Sequence, residues 1–247
     1  SNIAAGVASS LISGSTITGR AKKKLALFEV DERSSRLIYK YVTPDLLLCT
    51  NLFRDSIKRN AHTEYIFNFI NSAIPEKTRL ILNGDDVISG RLGHENPRVY
   101  FSLDPMASDK ESCDNIVNDM SICPECHANL EFSHVRYHHI GKAHCPKCGF
   151  RLPDAKYKAD ADTWNMTLTV SEGGRGFTYR LINDSIFNIY NELGVIALLR
   201  EFGLTPEQIN RSFEKNGIVG SRYACEEKNG IKIVTNLAKS LNPVACS

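Results

Sequence analysis

Leu46-Leu47-Leu48-Cys49-Thr50-Asn51-Leu52-Phe53-Arg54-Asp55 places four apolar residues directly before a polar segment, behind the turn residue Pro44. A short apolar run bounded by turn signals predicts a buried strand, with the polar residues at its carboxyl end. Downstream, residues 64–73 carry helical periodicity closed by Pro75, and Leu80-Ile81-Leu82-Asn83 repeats the strand pattern before Gly84-Asp85-Asp86. Val99-Tyr100-Phe101 suits a further strand. Upstream, residues 2–12 have helical composition and stop at Ser13-Gly14, and residues 33–41 again suit a helix. Between them the apolar run 25–30 ends in acidic residues and is expected as another buried strand. Strands and helices alternating at this spacing predict an α/β fold with a mostly parallel sheet flanked by helices. In such sheets working residues gather at the carboxyl ends of strands, which singles out Glu29, Asn51 and Asp85-Asp86. For the last pair a plain turn is the alternative.

From about Cys113 to Lys158 the rhythm breaks, and cysteine, histidine and proline concentrate. Cys123-Pro-Glu-Cys126 and Cys145-Pro-Lys-Cys148-Gly149 are separated by eighteen residues, the spacing of a four-cysteine zinc ribbon. Zinc takes four soft ligands in a tetrahedron, and two residues between cysteines let one turn present both thiolates. Four thiolates leave no open position, so the predicted zinc is structural and not catalytic. Gly149 supplies the positive φ with which such a turn closes. Five of the seven histidines (His127, His134, His138, His139 and His144) fall in this segment, and they read as surface or packing residues because the cysteines already satisfy the metal. The other cysteines, Cys49, Cys113, Cys225 and Cys246, are scattered and read as ordinary thiols.

Beyond the insertion, alternation over 163–170 and 177–181 around Gly173-Gly174 predicts a hairpin. Residues 186–202 are strongly helical and end at Gly203; Thr205 with Gln208 forms a capping-box pattern for a further helix. Two short strands are expected after Ser221. The resulting division is 1–112 and 159–220 for the two parts of a central domain, 113–158 for the ribbon insertion, and 221–247 for a linker or the start of another domain.

The 247 residues carry 42% hydrophobic and 23% charged side chains with a net charge of +2. These values suit a globular chain with a sizeable core and give no argument for a nucleic-acid or membrane partner. Lys22-Lys23-Lys24 reads as a solvated strand entrance. No apolar run approaches the ~20 residues that cross a bilayer, and residues 1–11 lack a basic region of secretory type, so a cytoplasmic location is expected.

Several stretches, in order along nearly the whole chain, resemble MurT-like Mur ligases. They are the small-residue segment 1–8; Phe28-Glu29-Val30-Asp31-Glu32; Thr50-Asn51-Leu52-Phe53-Arg54-Asp55; Tyr137-His138-His139-Ile140-Gly141 between the cysteine pairs; Cys148-Gly149-Phe150-Arg151; and Phe187-Asn188-Ile189-Tyr190-Asn191. The resemblance implies a Mur-ligase central domain and an ATP-dependent ligase that amidates the D-glutamate of lipid II. Its ammonia would come from a GatD-type glutamine amidotransferase partner. Such ligases phosphorylate a carboxylate, and an amine then attacks the acyl phosphate, so the site needs a cation, donors and close positioning. By the same resemblance Glu29 matches a magnesium-binding glutamate, with a solvated acid as the alternative. Asn188 matches an adenine-holding position, with a helix cap as the alternative. Asn51 and Asp55 are expected to line the substrate side.

Departures accompany the likeness. No phosphate-binding loop of the G-x-x-x-x-G-K-[ST] type is present, and the sequence starts just downstream of where that loop would stand. After Asp55 the family usually continues Q-L-D-R-Y-G, where this chain has Ser56-Ile57-Lys58-Arg59-Asn60-Ala61. Lys58 thus replaces an acid, Ser56 stands where related ligases carry a metal-binding histidine, and His62 lies nearby. Around Leu237-Ala238-Lys239 and Asn242-Pro243 the likeness to the family's K-N-P segment is loose, and the C-terminal domain does not follow. The expectation is a fragment or degenerate form, inactive alone. The second reading is a non-catalytic, zinc-stapled scaffold or binding module.

Overall fold

The computed structural model describes residues 3–54, 62–116, 118–215, 223–228 and 230–236. Helix α1 (Ala4–Ser13) leads through an irregular segment to a 3-10 turn (Glu32–Ser34) and a single helical turn, α2 (Ser35–Ile38). Then come β1 (Leu46–Cys49), α3 (Thr63–Asn71), β2 (Arg79–Asn83) and β3 (Arg98–Leu103). The inserted hairpin is β4 (Glu131–Tyr137) and β5 (Ile140–His144). The chain returns through β6 (Tyr157–Asp162), β7 (Thr167–Glu172) and β8 (Arg175–Arg180) to helices α4 (Ile186–Glu201) and α5 (Pro206–Lys215). A separate hairpin, β9 (Tyr223–Lys228) and β10 (Ile231–Asn236), follows.

The main sheet has the order β1-β2-β3-β6-β7-β8. β1, β2, β3 and β6 run parallel, and β7 and β8 add an antiparallel edge. Successive side chains of a strand point to opposite faces, and β2 shows how both faces are filled. Ile81 joins Phe101, Tyr157 and Leu168 beneath α4 and α5, whose Ile189, Leu193, Ile196 and Ile209 are fully buried. Leu80 and Leu82 face the other way, onto Ile66, Phe67 and Ile70 of α3 and onto the insertion. Helix α4 crosses the sheet at Gly194, where a β-carbon would stand 3.1 Å from Leu48 and 3.2 Å from Phe101. A helix buried over most of its circumference is held that close by a residue without a side chain.

Most sequence-based elements form. The capping box of α5 is present, with Thr205 N donating to Gln208 Oε1 at 2.8 Å and Gln208 N to Thr205 Oγ1 at 3.3 Å. Three readings change. The run 25–30 is no strand, and Leu25 and Leu27 are 65% and 84% exposed. An apolar run becomes a strand only where a ladder partner satisfies its backbone, and none is found for it among the described residues. The helix expected over 33–41 is confined to the 3-10 turn and α2, started by the Asp31 side chain accepting from Arg33 N. Finally, the expected hairpin is a three-stranded meander. Tyr157 and Lys158, counted with the insertion, already pair with Phe101 and Ser102 of the main sheet.

Candidate functional site

The two Cys-x-x-Cys turns come together at the root of the β4–β5 hairpin. Cys123 Sγ lies 3.6 Å from Cys148 Sγ, Cys126 Sγ lies 3.5 Å from Cys145 Sγ, and all four sulfurs fall within 4.8 Å of one another. Disulfide sulfurs stand about 2.0 Å apart, so these distances exclude bridges. Four sulfurs about 2.3 Å from a central zinc would be separated by about 3.8 Å, which the cluster approaches. Local backbone sets the thiols. Amide groups of Cys148 and Lys147 point at Cys145 and lower its pKa to about 6. Cys148 is also pulled down, by the Phe150 amide, but burial and the neighbouring thiols push it to about 12. Four thiols this close cannot all ionise without a cation to compensate the accumulated charge. The cluster can hold a metal ion. Gly149 sits at φ +75°, as the turn requires.

The far end of the hairpin docks on the carboxyl end of β2. Ile140 bridges to Asp86, and Gly141 N donates to Asp85 O at 2.8 Å. A β-carbon at Gly141 would collide with the His134 carbonyl oxygen, so the strands approach only because that position is glycine. Asp85 and Asp86 are not a solvated turn; they are 1% and 0% exposed. Onto Asp85 Oδ2 converge Leu103 N (3.0 Å), Tyr190 OH (2.7 Å) and Arg136 Nη1 (3.0 Å). Burial pushes the Asp85 carboxyl up while Arg136 pulls it back. Arg136, from β4, also donates to the carbonyls of Leu103 and Asp104 and lies 3.1 Å from Asp109. Asp86 accepts from Leu52 N and Ile88 N, each at 2.8 Å, and meets His139 Nε2 at 3.2 Å. Burial opposes its ionisation, yet the His139 ring holds its carboxyl below the ordinary range.

The histidines thus divide. His127 is exposed, whereas His138 and His139 are 3% and 0% exposed, and His139 adds to its packing a buried contact with the Asp86 carboxylate. A buried imidazole needs a hydrogen-bond partner, and Asp86 supplies one.

Around the strand ends, Asn51 is half-buried, and its Nδ2 lies 3.4 Å from Thr50 Oγ1. Glu29 is exposed, in the irregular segment and not at a strand tip. Burial, then the charges of Asp86 and Glu32, push the Cys49 thiol up. Asn188 lies in the first turn of α4, where Nδ2 donates to Asn183 Oδ1 at 2.9 Å and Ser185 Oγ at 2.8 Å. Both amide hydrogens are engaged locally, which leaves its oxygen for any further partner. Next to this turn, beyond the ends of β3 and β6, lies a cavity of about 370 Å³ lined by Met106, Ser108, Arg136, Thr163, Asp184, Ile186 and Ile189. Its walls are mixed, with Met106, Ile186 and Ile189 on the apolar side and Ser108, Thr163, Asp184 and Arg136 on the polar side. Asp55, Ser56 and Lys58 lie outside the described residues, as does Cys246, and the side chain of Cys225 is likewise not described.

Sequence reading missed Arg136 and Asp109, and it gave no role to Tyr190 and His139, which fall in the motif stretches 187–191 and 137–141. Their partners at this site stand 27 to 105 positions away, which no local pattern can show.

No protein-family model matches the chain. In sequence it is 32% identical over 241 residues to the MurT subunit of lipid II isoglutaminyl synthase (glutamine-hydrolyzing) from Staphylococcus aureus, covering 97% of this chain and 53% of that protein. The corresponding Streptococcus pneumoniae subunit is 29% identical over 227 residues, covering 90% and 49%. In structure, a pseudomurein peptide ligase type C from Methanothermus fervidus superposes with TM-score 0.68 at 24% identity, over 84% of this chain and 41% of that one. The chain spans about half the length of the curated relatives it matches.

Proposed function

Because the chain is MurT-like along 97% of its length, on a mostly parallel sheet of Mur-ligase type, we propose that it is the central part of an ATP-dependent amide-forming ligase. The reaction would turn the D-glutamate carboxylate of lipid II into a carboxamide, consuming ammonia from a GatD-type glutaminase and converting ATP to ADP and phosphate. A cytoplasmic location goes with that reading; among the described residues no helix is long and apolar enough to cross a membrane.

One observation carries the proposal. The segment Thr50-Asn51-Leu52-Phe53-Arg54, Asp85-Asp86 and the first turn of α4 all lie at the carboxyl ends of the parallel strands, where α/β sheets bind ligands. The cavity beside them would admit a small planar group between apolar and polar walls, and Asn188 would accept from the exocyclic amine of adenine through its oxygen. Glu29, an exposed carboxylate, would meet magnesium, which supplies charge neutralisation at phosphoryl oxygens when bound. Asn51 would face the substrate side. Cys123, Cys126, Cys145 and Cys148 would hold a structural zinc; the sulfur separations support that donor set.

The test is amidation of lipid II by the whole protein with its glutaminase, followed by mass spectrometry of the stem peptide. Carboxamide is expected only with ATP, with turnover reduced at least ~100-fold in a Glu29→Gln variant and a raised KM for ATP in an Asn188→Ala variant. Unamidated lipid II under these conditions, with the zinc in place, would favour the zinc-stapled scaffold instead.

A further inference from the structure

Residues 50–54 have no regular structure, yet Leu52 is 2% exposed and the segment is held at almost every residue. The sheet supplies Asn83 Nδ2, donating to Thr50 O at 2.9 Å, and Asp86, accepting from Leu52 N. The remaining holds come from the insertion. His139 pairs with the same Asp86, so the carboxylate that fixes Leu52 is itself fixed by the hairpin tip. The Phe53 ring packs 4.6 Å from the His139 ring and 5.3 Å from that of His138. Arg54 forms an ion pair with Asp119, which is 1% exposed on its side chain and stands four residues before Cys123. Met120, its neighbour, packs in one apolar cluster with Cys123 and Cys145.

The insertion's tip is packed on the sheet through Arg136, Tyr137 and Ile140, but its root has little regular structure of its own among the described residues. The insertion's regular structure is one two-stranded hairpin with register shifts between Phe132 and Tyr137, and an isolated hairpin of that kind is marginal in water. The thiol cluster closes its root, and the tip reaches the strand ends.

We propose that the cysteine-bound metal acts on the strand-end site through this hairpin: the ribbon is a clamp on residues 50–54, and His139 and Asp119 are its positioning residues. Metal occupancy then sets how firmly the Leu52 amide and the Phe53 and Arg54 side chains are held. As a statement about the ligase site this rests on the function proposed above, but the coupling itself requires neither nucleotide nor turnover.

Amide hydrogen exchange on the whole chain, metal-loaded and after chelation, tests it. On stripping, exchange at Leu52 should accelerate at least ~10-fold while Leu168 and Tyr179, in β7 and β8, keep their protection. In metal-loaded protein, His139→Ala and Asp119→Asn should accelerate exchange in the same segment with metal content unchanged, and His139→Gln, which keeps a donor, should restore part of it. Unaltered Leu52 protection after stripping would overturn the clamp; it would mean that Arg136 alone holds the tip. Loss of protection throughout β7 and β8 would also overturn it, because the metal would then staple the whole domain. So would purified protein without metal. Since no step reads amidation, an inactive ligase would leave this result standing, and an active one could not rescue it.

Discussion

The two ends of the inserted hairpin are built by opposite means. At its root, four ligands come from two short turns, and everything needed lies within the fragments Cys123–Cys126 and Cys145–Cys148. At its tip, Asp85 and Asp86 receive groups from β3, from β4 and α4, and from residues 52 and 139. The root is local chemistry, four thiols suited to one ion; the tip is packing between groups far apart in the sequence. The difference predicts that they fail differently. Losing a ligand at the root should cost the metal, whereas losing a partner at the tip should leave a buried charge exposed to an apolar surrounding.

The largest effect is expected at the root. Cys145→Ser should abolish stoichiometric metal binding and unfold the insertion, since structural zinc in small domains contributes on the order of 10 kcal/mol. Elemental analysis and exchange of the β4–β5 amides would read it. Next is the tip: Arg136→Met strands Asp85, and denaturant unfolding should show a loss of about 3–5 kcal/mol with the metal still bound. If that variant loses its metal as readily as the cysteine variant, the two ends are not separable.

That contrast also explains what could be read from the sequence. Cysteine spacing revealed the root because coordination geometry is written in adjacent residues. The apolar runs 46–49 and 80–83 revealed their strands for the same reason, each being a local pattern. The tip was opaque. Asp85-Asp86 looks like any turn, and the groups that bury it become visible only when β3, β4 and α4 have assembled around it. The run 25–30 misled in the reverse direction, having the composition of a strand but no ladder to join among the described residues. Asn188 shows a third case, in which a motif residue turns out to be tied to Asn183 and Ser185.

Away from both ends, smaller effects should be independent of the metal. Burial raises the pKa of Glu192, on α4, from 4.5 to about 7. A group protonated more readily when folded stabilises at low pH, so its contribution should be present below about 4.5 and be lost as pH rises through about 7. Glu192→Gln should flatten the stability profile over that interval, followed by thermal unfolding at a series of pH values. Smallest is the capping box of α5: Thr205→Ala removes the acceptor for Gln208 N and should cost about 1 kcal/mol, with no change at root or tip.

X-ray absorption at the zinc edge of the purified chain bears most directly on the ribbon. It should show one zinc per chain bound by four sulfurs at about 2.3 Å, with no oxygen or nitrogen in the shell. A metal-free chain, or Cys123, Cys126, Cys145 and Cys148 joined in disulfides, would contradict the account.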